Sequence, residues 1–244
     1  MTASRRVPVS NWRQKAAADL PQSVDDSIAT EVPVALSYNR LSHVVMMATP
    51  ADLEDFALGF SITEGLIGSP DDLLEIKLIP RPGGIELAMT LTGEWFDRLA
   101  TNRRNMAGRT GCGQCGAENL EQALRYPPPV SNALRVRHAA LQKPVSALEQ
   151  HQPLQADTGA THGAAWCDRD GNIVRTREDV GRHNALDKLI GSLVCDGFEP
   201  SDGFVLVSSR ASYEMVYKTA AAGIELMVAV SAPTTLAVEF AERS

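Results

Sequence analysis

The stretch that decides the fold is Gly163-Ala164-Ala165-Trp166-Cys167-Asp168-Arg169-Asp170-Gly171-Asn172-Ile173-Val174-Arg175-Thr176. Two strand-forming runs flank Asp170-Gly171-Asn172, whose residues tolerate positive φ, so the stretch predicts a β-hairpin. Downstream, Leu186, Leu189, Ile190 and Leu193 repeat at helical spacing, predicting a helix over about 179–194 with Gly197 beyond it. Phe204-Val205-Leu206-Val207 reads as a strand buried on both faces, 213–222 as a helix closed by Gly223, Leu226-Met227-Val228-Ala229-Val230 as a second buried strand, and 235–242 as a last helix. A hairpin followed by alternating helix and strand predicts a three-layer α/β/α lobe with right-handed crossovers.

Upstream, 131–151 reads as helical, and Tyr126-Pro127-Pro128-Pro129-Val130 is a stiff break between two halves. The first half is an α+β lobe. Val32-Pro33-Val34-Ala35-Leu36-Ser37-Tyr38 and Leu41-Ser42-His43-Val44-Val45-Met46-Met47 form strands joined at Asn39-Arg40. Thr49-Pro50-Ala51-Asp52 opens a helix with Thr49 as cap, and Leu53, Phe56, Ala57 and Phe60 form its stripe. Residues 76–80 and 85–89 make another strand pair around Pro82-Gly83-Gly84, and a polar, Arg-rich segment fills 95–109. The expected division is a mobile tail over 1–27, an α+β lobe over 28–125 and an α/β lobe over 126–244.

Composition bounds the function. The chain has 244 residues, 44% hydrophobic and 22% charged, an ordinary globular balance. A formal charge of −7 argues against general nucleic-acid binding. Four cysteines do not make a disulfide framework, so the expected compartment is a reducing cytoplasm. No apolar run reaches the roughly 18 residues of a membrane span, and Arg5, Arg6, Arg13 and Lys15 precede no apolar core of a secretory signal.

The chemistry centres on Gly108-Arg109-Thr110-Gly111-Cys112-Gly113-Gln114-Cys115-Gly116. Four glycines in nine residues leave the thiols on an open, bendable loop. A short helix expected over 117–124 puts them at a helix N-terminus. Arg103, Arg104 and Arg109 add positive charge, and both influences favour thiolate. Half of a zinc site is one reading, but Cys167 and Cys195 fall on expected core elements and read as buried, inert thiols. A thioredoxin-like pair is another, although no strand precedes the motif. A persulfide carrier, in which Cys112 accepts sulfur and Cys115 is its partner, fits better.

In parallel α/β sheets, ligands sit beyond the carboxyl ends of the strands. Ser208-Ser209-Arg210, Ser231-Ala232-Pro233-Thr234-Thr235 and Arg177-Glu178-Asp179-Val180-Gly181-Arg182-His183-Asn184 are expected there, as a pocket for an anionic, nucleotide-like ligand. Caps and turns are the plainer reading of the same residues. His183 and Asp187 lie four apart on a helix and are placed to touch; a capping or surface histidine is the alternative. His162, beside Gly163, lines the pocket or serves the turn, while His43, Trp166 and Phe204 read as packed residues.

These motifs in this order resemble the formate dehydrogenase accessory sulfurtransferases, the FdhD family. The resemblance rests on Thr110 through Gly116, Arg177 through Lys188, Ser208-Ser209-Arg210 with Glu214-Met215 and Lys218, and Ser37-Tyr38-Asn39 with Phe56-Ala57-Leu58-Gly59-Phe60. It covers 31–239. It implies a cytidine-deaminase-like C-terminal lobe, a homodimer, and a cytoplasmic carrier receiving sulfane sulfur from a cysteine desulfurase. The sulfur would pass to molybdenum cofactor, in its bis-molybdopterin guanine dinucleotide form, before insertion into formate dehydrogenase. Cys112 would bear the persulfide with Cys115 as partner, and His183, Asn184, Ser208, Ser209, Arg210, Ser231 and Thr234 would hold the guanosine phosphates. Deaminases of that fold need zinc-binding cysteines and a catalytic Glu at two helix starts. No cysteine stands near 178–183 or 208–212, so deaminase chemistry is not expected. The resemblance also implies a further strand and a Phe-x-Arg segment past the position of Ser244, so the expectation is either a truncated sequence or the loss of part of the cofactor site. A guanine-nucleotide-binding chaperone without sulfur chemistry and a zinc-binding adaptor are the rival functions.

Overall fold

The structure, a computed structural model, describes residues 1–11, 22–105, 126 and 129–244. The hairpin forms as β7 (His162–Asp168) and β8 (Ile173–Asp179), antiparallel in register from His162↔Asp179. Gly171 turns it at φ 75°, and a Cβ there would stand 2.1 Å from the Ala140 carbonyl oxygen, so both conformation and space require glycine. The chain continues through α5 (Arg182–Cys195), β9 (Gly203–Arg210), α6 (Tyr213–Ala221), β10 (Met227–Ser231) and α7 (Thr235–Arg243).

The sheet order is β10-β9-β7-β8. Because β7 is antiparallel to both neighbours and β9 is parallel to β10, strands β8, β9 and β10 end at one edge. Phe204 through Val207 are buried on both sides, which explains an unbroken apolar run. On one face Ala164, Trp166, Val205 and Val207 meet Leu186, Leu189 and Ile190 of α5 and Met215 of α6. On the other, Ala165, Cys167, Phe204 and Leu206 meet Leu148, Leu134, Val136 and Leu141. The expected mixed α/β class is the one observed.

The first half is a second mixed sheet, ordered β4-β3-β6-β5, with β3 (Val32–Tyr38), β4 (Leu41–Ala48), β5 (Leu73–Arg81) and β6 (Gly84–Leu91). Its inner face, Val34, Leu36, Tyr38, Leu87 and Met89, packs on Leu53, Phe56, Ala57 and Phe60 of α1 (Leu53–Thr63). Helices α1 and α5 then join the halves backbone to backbone. A Cβ on Gly59 would lie 1.8 Å from the Asp187 carbonyl oxygen, and one on Gly191 would lie 1.9 Å from that of Asp55.

Several expectations are corrected. The predicted tail, 1–27, contains a ribbon of β1 (Ser4–Asn11) and β2 (Gln22–Ala29) with continuous antiparallel register. Val7 and Val9 alternate along β1, with Val9 opposite Val24 and Val7 opposite Asp26, a strand pattern that the neighbouring charges obscured. Residues 95–109 begin within α2 (Gly93–Asn105), whose Trp95, Phe96 and Leu99 join the N-terminal core. Residues 131–137 are not helical, because Leu134 and Val136 alternate onto the sheet; helix begins at α3 (His138–Ala147) and resumes at α4 (Pro153–Thr158). Thr49 does not cap α1. Its N–H donates to Asp179 Oδ2 at 2.9 Å and its Oγ1 accepts the Val180 N–H at 3.1 Å, so α1 starts after Asp52, which has φ 51°. Residues 177–179 end β8 instead of opening α5. Cys167 is buried as expected, and burial, with the nearby Asp168 charge second, pushes its thiol up to about 12. Cys195, the last residue of α5, is exposed.

Candidate functional site

Where β8, β9 and β10 end, α5, α6 and α7 begin, so three helix N-termini gather at one sheet edge. The antiparallel β7 brings its first residue, His162, to the same place beside Asp179. The three starts differ. Thr234 caps α7 by accepting the Ala237 N–H at 3.2 Å. Gly181, before α5, has no side chain to offer. Ser212, before α6, has the extended backbone of a cap but makes no cap bond. Ser212 is 7% exposed, and its Oγ has no hydrogen-bond partner among the described residues. Arg182 Nε is in the same position. A buried donor left unpaired costs roughly 1–3 kcal/mol, so two such atoms at helix starts on one sheet edge call for an acceptor.

The cleft sets basic side chains around one carboxylate. His183 Nε2–H donates to Glu214 Oε2 at 2.7 Å, and an Arg182 guanidinium nitrogen lies 3.7 Å from the same oxygen. That bond, ahead of the opposing effect of burial, holds the Glu214 carboxyl below the usual range. Burial first, and then the charges of Arg182 and His183, push His162 below the ordinary histidine value. His183 and Arg182 therefore share one carboxylate, and His162 is close enough to both to feel their charge.

The other expected site residues are placed as follows. Asn184 is buried, and its Nδ2 donates to the Met47 carbonyl at 2.8 Å, across to the first half, and to Asp179 Oδ1 at 3.0 Å, so both hydrogens are used within the protein. Ser208 Oγ accepts the Gly163 N–H at 3.0 Å, and Ser209 Oγ donates to the Arg210 carbonyl at 3.1 Å. Arg210 and Ser231 are exposed at the edge. Asp187 turns away from His183, accepting from Thr63 Oγ1 at 2.7 Å and Lys218 Nζ at 2.9 Å. Cys112 and Cys115 lie outside the described residues. Sequence reasoning placed Arg182 in the pocket stretch without singling it out and gave no site role to Ser212 or Glu214; a serine directly before a helix with Glu two residues on was the available signal.

Beneath the cleft is a closed ionic floor. Lys188 Nζ pairs with Asp179 Oδ2 at 2.6 Å, both side chains fully buried, and donates to the Thr49 carbonyl at 2.9 Å. Asp179 Oδ1 also accepts the Gly181 N–H at 2.8 Å. Nearby, Lys218 bridges Asp187 and Glu64. Burial works to lower its pKa, but those two carboxylates outweigh burial and raise it, so the ammonium stays charged. A separate cavity of about 490 Å³ lies between the end of α1 and α2, lined by Leu66, Trp95, Arg98 and Leu99, with Arg98 4.6 Å from the Trp95 ring centroid. None of its lining residues belongs to the cleft. Among the described residues no cluster of His, Cys, Asp and Glu is arranged for a metal ion, and no helix is long and apolar enough to cross a membrane.

Comparison with known proteins gives a consistent picture. A family model described as the FdhD/NarQ family matches residues 29–244. A Sulfur carrier protein FdhD from Cupriavidus necator is 52% identical over 236 residues, covering 97% of this chain and 81% of the relative. The protein of the same name from Bordetella petrii is 52% identical over 219 residues, covering 90% and 79%. A crystal structure described as that of a formate dehydrogenase accessory protein from Desulfotalea psychrophila superposes with a TM-score of 0.73. It covers 99% of this chain and 89% of that one at 23% identity, a likeness of fold.

Proposed function

The chain belongs to the FdhD/NarQ family, and on that premise we propose that it is a sulfur carrier serving formate dehydrogenase. In this reading it receives sulfane sulfur from a cysteine desulfurase as a persulfide on Cys112. It delivers that sulfur to molybdenum cofactor in its bis-molybdopterin guanine dinucleotide form, a bound substrate rather than a resident group, and works in the cytoplasm as a homodimer.

The chemistry follows from two thiols three positions apart. The Cys112 thiolate attacks the outer sulfur of the donor persulfide, forming Cys112–S–SH and releasing the donor's thiolate, with no net oxidation. Attack of the Cys115 thiolate on the inner sulfur then expels hydrosulfide and leaves a Cys112–Cys115 disulfide. The two electrons that reduce the sulfur come from the thiols, and a dithiol reductant resets the pair.

The observation that carries the ligand half is the cleft: Arg182 Nε and Ser212 Oγ, buried and without partners among the described residues, near His162, His183 and the starts of α5 and α6. Those groups suit a phosphate, and guanosine phosphates are what the proposed substrate presents. Arg182 supplies charge, Ser212 a hydroxyl, and His183 a ring nitrogen fixed by Glu214. Ser208 and Gly163 hold the cleft wall.

Mass spectrometry after incubation with a desulfurase and cysteine tests the carrier. The expected result is a gain of about 32 Da, the mass of one sulfur atom, on Cys112, lost on Cys112→Ala. A Cys112→Ala protein that still supports sulfuration of formate dehydrogenase would overturn the reading in favour of a nucleotide-binding chaperone.

A further inference from the structure

We propose that Glu214 is a built-in competitor for the anionic ligand of the cleft, occupying Arg182 and His183 until a phosphate displaces it. This rests on the anion-cleft reading above and adds to it a means of release. Glu214 stands in the first turn of α6, two residues beyond the uncapped Ser212. There the exposed N–H groups favour negative charge, whether a side chain or a ligand brings it. Its carboxylate accepts from His183 at 2.7 Å and lies 3.7 Å from the Arg182 guanidinium. The side chain is 33% exposed, so it sits at the mouth and can swing outward.

The fit is incomplete. Ser212 Oγ and Arg182 Nε stay unpartnered although Glu214 is within reach of the same cluster. A larger, tetrahedral anion offers more acceptor oxygens than one carboxylate and can satisfy donors that Glu214 leaves unused. The cleft thus holds a weak internal anion and binds a better external one. Two negative groups cannot share the same donors without repulsion, so each bound phosphate must push Glu214 aside. A carrier has to let go as well as hold, and a tethered carboxylate ready to retake Arg182 and His183 shortens the life of the complex.

Glu214→Gln keeps the side-chain size and the acceptor for His183 and removes only the charge. Titration calorimetry with GDP is expected to show about tenfold tighter binding to E214Q than to the wild type, the effect of one unit charge several ångströms away in a partly solvated cleft. Stopped-flow release is expected to slow in proportion. Inorganic pyrophosphate, which carries no base, is expected to gain by a similar factor. Glu214→Asp, which keeps the charge on a shorter arm, is expected to bind between the two. Unchanged or weaker binding by E214Q overturns the proposal and makes Glu214 a positioning residue for His183. Arg182→Gln in the same titrations separates the two claims. If it weakens GDP while E214Q has no effect, only the competitor fails; if it changes nothing in either background, the anion cleft fails too. Should the wild type bind no measurable GDP, binding by E214Q supports the competitor, and binding by neither variant overturns both readings.

Discussion

Residues 177–188 carry two ionic clusters close together, and they have opposite character. Asp179 and Lys188 are fully buried, paired at 2.6 Å, and bonded further to Thr49, Gly181 and Asn184. Arg182 and His183, between them in sequence, are about a quarter exposed, share one carboxylate, and leave a guanidinium N–H without a partner among the described residues. A buried charge is tolerated only when its hydrogen-bonding capacity is filled from within the protein. An unfilled one at the rim points to something from outside. The first cluster therefore holds the two halves together, and the second receives a ligand.

The sharpest way to break this contrast is Lys188→Met. It strands Asp179 in the interior and is expected to destabilise the protein by about 3–5 kcal/mol in chemical denaturation. Loss below about 1 kcal/mol would mean that the floor is not structural. Gly59→Ala should follow, at roughly 1–3 kcal/mol or more, because its Cβ would strike the Asp187 carbonyl at 1.8 Å and force the helices apart. Arg182→Gln, by contrast, is expected to shift stability by no more than about 0.5 kcal/mol, while weakening GDP binding about tenfold in calorimetry.

The same division shows what could be read from residues in order. The sheet was legible because its signals are local. Phe204 through Val207 form an unbroken apolar run, and Asp170-Gly171-Asn172 is a turn by composition alone. The edge where the three strands end, and so the neighbourhood of Ser208, Arg210, Ser231 and His183, followed from topology. Partners across the fold were not legible. His183 meets Glu214, 31 positions away, because Asp187 is claimed by Thr63 and Lys218. Thr49 looked like a cap, yet its N–H and hydroxyl are taken by Asp179 and Val180, about 130 positions along the chain. Asn184 looked like a ligand residue for the same reason: nothing in its spacing shows that Met47 waits beside it. The ribbon of β1 and β2 was hidden by the adjacent charges Arg5, Arg6, Asp25 and Asp26 and by Pro8 between its valines. Cys195 read as core from its helical spacing, but it lies one turn past the glycine crossing with α1, where the cover ends.

Smaller effects sharpen the comparison at the helix starts. Thr234→Ala removes a cap bond and is expected to cost about 1 kcal/mol. Ser212→Ala removes a hydroxyl that caps nothing, so its denaturation midpoint is expected to stay level or rise, while pyrophosphate binding falls a few-fold. Equal stability losses in both variants would make Ser212 an ordinary cap.

The smallest effect is that of pH, and its sign follows from His162. Burial and the neighbouring cations hold its pKa below the ordinary value near 6.5, so at neutral pH the ring is uncharged. In stability terms a depressed histidine favours unfolding as pH falls below the unfolded-state value, since the unfolded chain then binds the proton more readily. A bound phosphate reverses the repulsion and raises that pKa, so binding takes up protons. GDP affinity is therefore expected to rise a few-fold between pH 7.5 and about pH 6, with proton uptake visible in calorimetry as a dependence of heat on buffer ionisation enthalpy. His162→Gln should flatten the part of that slope owed to His162. A slope of the opposite sign would place the phosphate away from the His162, Arg182 and His183 face, and would return the Ser212 hydroxyl to a purely local role.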